Sequence, residues 1–155
     1  SSELRHLMAY VVAIEKGLDA VAIDEAAMAL LSSDDPARTA LRLKAAYSAA
    51  KSLEGGTDRL VDGFSKQERA ALIFAWISAQ VPLETPKRFV EPALTEFQDV
   101  EIIHLRTTCA MASLVGRTAA VLRNPPSNDA LALLESHGVE TSSLTIRAQN
   151  RTRSK

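Results

Sequence analysis

One cysteine, Cys109, is all the thiol this chain has in 155 residues. No disulfide can form within it, so nothing of that kind speaks for secretion. Long apolar runs are missing too, because charges interrupt each one before the ~18–20 residues that a bilayer requires. Neither sign of charge dominates: 18 basic against 19 acidic side chains leave a net charge of −1. That balance lacks the global footprint of a nucleic-acid or membrane-surface binder. There is no glycine-rich phosphate loop, no zinc-type cysteine pair and no Ser-His-Asp arrangement placed by motif. These absences predict a soluble, cytoplasmic protein with no cofactor, metal, nucleic-acid or membrane partner. The Ser-Ser start, without a methionine, reads as a trimmed or partial chain with no recognisable signal peptide.

What is present is helical. Apolar residues make up 46% of the chain, aromatics only 5%, and alanine and leucine dominate. Close-packed helices suit that balance better than a sheet. The length fits one domain able to bury a core. From Glu3 to Lys16 the apolar positions recur at mostly helical spacing, and Gly17 can end that helix. Asp19 can cap a second helix running to about Leu31. Its Ala22, Ala26 and Ala29 would let a neighbouring helix approach closely. Ser33-Asp34-Asp35-Pro36 starts a third helix that Gly55-Gly56 ends. Ser65 to Glu68 reads as a capping box opening a fourth helix to about Ala79. Thr85-Pro86 restarts the chain, and Pro92 predicts a kink or early stop in that fifth segment. Asp99 opens the longest helix, Val100 to Arg123, and a short one follows from Asp129 to His137. The expectation is therefore an all-α bundle of six to seven helices over residues 1–138. A basic tail over 139–155, carrying Arg147, Arg151, Arg153 and Lys155, should be mobile.

The segment RHLMAYVVAIEKGLDAVAIDE, Arg5 to Glu25, resembles the signature of the AhpD-like (alkylhydroperoxidase D / carboxymuconolactone decarboxylase) family. In that signature a glutamate-bearing helix runs into a Gly-Cys turn, followed by Cys-x-x-Cys-x-x-x-His. Here His6 stands at the glutamate position, Leu18 and Val21 replace the cysteines, and Glu25 replaces the histidine. Two further blocks are similar to the family: Phe64 to Ala79, and Phe97 to Arg117, where Gly116 sits at a position more often asparagine. The likeness covers roughly residues 3–31 and 64–123. It implies an AhpD-like helical fold and a homo-oligomer (dimer, trimer or hexamer) joined through apolar helix faces. Ala110 to Leu122 is the natural place for a shared core.

The resemblance also implies what chemistry is gone. The family's cysteine pair cycles between dithiol and disulfide through a nucleophilic thiolate, and leucine and valine carry neither a lone pair nor an acidic proton. Cys109, mid-helix among apolar residues, reads as an inert small hydrophobe. The leading expectation is a redox-inactive domain that binds a small molecule or serves as a structural or regulatory oligomer. An alternative is non-thiol chemistry, proton transfer or decarboxylation, by His6 and Glu25, whose residue types are exchanged relative to the family. For that pair the competing reading is a solvated His6 and a Glu25 that supports an exposed turn. A third reading comes from Glu3-x-x-His6 and Glu101-x-x-His104, with Glu25 and Glu68, as ligands of a di-iron carboxylate bundle. His137 reads as a helix C-terminal residue interacting with the dipole. Trp76, Phe74, Phe89 and Phe97 read as anchors of the core or of a subunit contact.

Overall fold

The computed structural model describes residues 1–54, 63–79, 87–122, 124–142 and 144, with the backbone alone at 54 and 87–89. Among them the chain forms seven α-helices and no strand. They are α1 (Ser2–Lys16), α2 (Asp19–Leu31), α3 (Pro36–Glu54), α4 (Lys66–Ser78), α5 (Lys87–Glu96), α6 (Asp99–Leu122) and α7 (Asn128–Ser136).

α1 is the central element, and its sequence says why. Leu7 to Ile14 is eight consecutive apolar residues, and all eight are buried. A helix apolar on every side has no face to give to water, so it must be surrounded. α2, α3, α4 and α6 pack around it. Each fully buried Leu, Val, Ile or Met contributes about 1.5–3 kcal/mol of apolar burial. The outer helices are held by one stripe each: α7 packs on α2, and α5 rests on α4 and α6.

The turn between α1 and α2 is tight. Gly17 takes a left-handed conformation (φ 66°), and its N–H donates to the Ile14 carbonyl at 3.0 Å while Leu18 N–H donates to Ala13 at 2.7 Å. This is a Schellman closure. It leaves Leu18 as both the last residue of the turn and the N-cap of α2. Asp19 is consequently not the cap expected of it; it is the first helical residue, and it is buried.

Elsewhere the start signals hold. Pro36 opens α3, with the Asp35 carboxylate accepting from Arg38 N–H at 3.2 Å. Ser65 and Glu68 form both arms of a capping box. Ser127 caps α7, and the His137 ring meets the Leu133 carbonyl at 3.0 Å. Pro92 does not stop α5, which continues to Glu96. Trp76 and Phe74 are buried and Phe97 packs against the core; the Phe89 side chain lies outside the described residues, as do Gly55-Gly56 and Thr85-Pro86. Packing continues past Gly138, since Val139, Thr141 and Leu144 are buried. The remainder of the expected basic tail, 145–155, lies outside the described residues. No described helix is long and apolar enough to cross a membrane.

Candidate functional site

The α1–α2 hairpin brings the resemblance-derived positions together. His6 lies one and a half turns into α1 and Glu25 mid-way along α2. The antiparallel hairpin sets their side chains side by side, with His6 Nδ1 2.8 Å from Glu25 Oε2. His6 is not the solvated side chain of the competing reading, nor does Glu25 support a turn. Both side chains are about a quarter exposed (23% and 26%), so one edge of the pair faces water. With the carboxylate accepting, Nδ1 donates, which leaves Nε2 as the basic nitrogen of a neutral imidazole. Asp24 stands next to this pair. Burial and the neighbouring Glu25 charge raise its carboxyl above the ordinary value, against the downward pull of the Ser127 backbone N–H that it accepts.

The two positions that the resemblance sets in place of cysteines, Leu18 and Val21, are apolar and packed. Val21 is buried at the start of α2. Leu18 lies against α6 at Gly116: a Cβ at Gly116 would overlap Leu18 Cδ1 outright and sit 3.2 Å from its Cγ. The absence of a side chain on α6 thus accommodates the leucine of the α1–α2 turn. Cys109 lies one helical stretch away on the buried side of the same helix. Burial pushes its thiol up to about 11, with only partial relief from a Ser78 hydrogen bond. At neutral pH the thiolate fraction is about one part in ten thousand, too small for a working nucleophile.

A second polar cluster, unmarked in the sequence, ties α1, α3 and α4 together. Arg42, itself nearly buried, donates from Nη1 to Glu3 Oε2 at 3.1 Å and from Nη2 to Glu68 Oε1 at 2.5 Å. Its guanidinium lies over the Phe64 ring at 5.4 Å. Thr39 donates to the other Glu3 oxygen at 3.3 Å and meets Ser33 Oγ at 2.5 Å. For Glu68, burial pushes the carboxyl up, but the Ser65 backbone donor and the Arg42 guanidinium outweigh it and hold it low. A hint of Arg42 stood in the sequence: it is the lone cation inside the run Ala40-Leu41-Arg42-Leu43, but nothing there names its partners.

These partnerships separate the residues proposed as di-iron ligands. Glu3 and Glu68 are held by Arg42, Glu25 by His6, and Glu101 turns back to accept Gln98 N–H at 2.8 Å. His104 is exposed on α6. Among the described residues no three His, Cys, Asp or Glu side chains converge as a metal site would need.

The candidate site is thus an imidazole–carboxylate pair, about a quarter exposed, beside an apolar, thiol-free turn. With that geometry in place, comparison with protein-family models, curated proteins and solved structures returns no match for this chain.

Proposed function

We propose that this chain is a redox-inactive domain of AhpD-like ancestry that works by binding and homo-oligomeric assembly rather than by thiol chemistry. The observation that carries this reading is the Leu18–Gly116 packing. Where the resemblance would place the first redox sulfur there is a branched hydrocarbon fitted to the facing helix, and the one thiol in the chain is buried and held protonated. Neither can take an oxygen from a peroxide. The test is peroxide consumption with a dithiol reductant, run beside titration of Cys109 with a thiol reagent. Consumption should equal the protein-free rate, and Cys109 should react only after unfolding. Turnover that disappears in Cys109→Ser would overturn the reading.

The 2.8 Å His6–Glu25 contact favours a second reading, in which the pair transfers protons on a small carboxylated substrate. The carboxylate fixes the tautomer; Nε2 takes the proton of the substrate carboxyl group, the C–C bond breaks to release carbon dioxide, and the imidazolium returns that proton to the carbon left behind. Under this reading a carboxylated lactone loses carbon dioxide faster with protein than without. That excess should fall at least ~100-fold in His6→Gln, as for loss of a general base. No excess in the parent protein returns His6 and Glu25 to the role of a clamp between α1 and α2.

A further inference from the structure

α6 is apolar on two sides, and only one of them is used. Leu105, Cys109, Ala112 and Gly116 face inward and are buried. The side opposite carries Val100, Ile103, Met111, Leu114 and Val121, each half to four-fifths exposed. With Thr107 and Thr118 they follow steps of 3, 4, 4, 3, 4 and 3 residues, which sum to three heptads. Their mean step of 3.5 residues is that of a seam between paired helices.

The two threonines do not spoil that seam. Thr107 Oγ1 donates to the Ile103 carbonyl and Thr118 Oγ1 to the Leu114 carbonyl, both at 2.9 Å. Their hydroxyl protons are already used within the helix, and the methyls remain for contact. Charges are kept off the seam. Within 100–122 the only ones are Glu101, Arg106 and Arg117; at ~100° per residue Glu101 falls well off this stripe, and Arg106 and Arg117 flank its Ile103–Val121 edge. Arg117 lies on the α1 side, where its charge, after burial, helps hold Lys16 low.

We propose that this outward face of α6 pairs antiparallel with the same face of a second copy of the chain. The proposal rests on the assembly reading above and supplies its partner and geometry. The sequence is self-complementary in the antiparallel register in which Met111 of one copy meets Leu114 of the other, Thr107 meets Thr118, and Ile103 meets Leu122. A two-fold axis near residues 112–113 generates every such contact twice, as an isologous dimer requires. Antiparallel alignment also sets the helix dipoles against each other favourably.

The area is adequate. At 25 cal/mol/Å² a Val, Leu, Ile or Met has roughly 60–120 Å² to bury, so the seven large exposed apolar side chains of α6, each uncovered by about half or more, offer ~300–500 Å² per copy. Apolar atoms make up about 65% of a homodimer interface, which gives ~500–800 Å² per copy, close to the ~800 Å² of a standard one.

The experiment is sedimentation equilibrium of the full chain from low to high micromolar concentration, for the parent and for Leu114→Glu. Leu114 is mostly exposed in the single chain, so the variant should fold, with unchanged far-ultraviolet circular dichroism. The parent should be dimeric, and Leu114→Glu should weaken the dimer at least ~100-fold by burying an unpaired carboxylate. Orientation is read by cysteine crosslinking. Met111→Cys mixed with Leu114→Cys should give a mixed disulfide. Val121→Cys alone should not link to itself, because its two copies lie ~25 Å apart along the antiparallel pair. Ready self-linking of Val121→Cys overturns the antiparallel register. An oligomer that survives Leu114→Glu overturns the assignment to α6 but keeps assembly. A chain monomeric throughout overturns the pairing, yet it leaves the thiol-free reading to stand or fall on peroxide turnover.

Discussion

At Gly116 a missing side chain is a packing feature. Glycine in a helix interior costs about 1 kcal/mol relative to alanine, so in isolation Gly116→Ala should stabilise α6. Here the added methyl would collide with Leu18, and the leucine can move only by leaving its rotamer or shifting the turn it caps. The two effects are of similar size and opposite sign. The informative measurement is therefore a double-mutant cycle on urea unfolding. Gly116→Ala should be neutral or destabilising in the parent, and stabilising by about 1 kcal/mol in a Leu18→Ala background, where the helix preference is released. A coupling indistinguishable from zero would mean that Leu18 and Gly116 do not share space.

At the scale of the element, what the sequence discloses depends on how local the physics is. Helix starts set by adjacent side chains were legible: Pro36 opens α3, and Ser65 and Glu68 satisfy each other's backbone donors across one turn, at 3.1 and 2.8 Å. Asp19 was misplaced because the glycine-driven closure ends on Leu18, one residue earlier, and that depends on backbone geometry rather than on residue type. Of the kink or early stop expected at Pro92, the stop does not occur: α5, packed against α4 and α6, continues past it to Glu96 despite one lost backbone bond. The His6–Glu25 approach could be anticipated because a short turn fixes the register of two adjacent helices. Arg42 could not be matched to its partners, since Glu3 and Glu68 are 39 and 26 residues away in sequence and meet only once three helices have packed. In α6 periodicity identified a helix but not its inner side. Both stripes are apolar, and what selects the buried one is the small size of Cys109, Ala112 and Gly116, which lets α1 and α2 come close.

For the whole molecule, Arg42 decides how stability responds to acid. It holds a carboxylate from α1 and another from α4 while sitting on α3, so its charge joins three helices around the core. Glu68 titrates below the ordinary carboxylate range in the folded chain, because donors from Ser65 and Arg42 outweigh its burial. A carboxyl lowered by folding adds stability that is complete above its unfolded value and is lost as pH falls through the folded one. Arg42→Met keeps much of the apolar stem but leaves Glu3 and Glu68 without their cation. Near neutral pH that variant should lose about 2 kcal/mol, less than the ~3–5 of a fully buried broken pair because the carboxylates are partly solvated. In acid, as pH falls through the lowered folded value of Glu68, its carboxyl is protonated and needs no cation, so the difference from the parent should shrink. Urea midpoints of the two proteins at neutral and acidic pH measure this directly. A gap of equal size at both would assign Arg42's contribution to its contact over the Phe64 ring, which does not titrate, rather than to the charges that it joins.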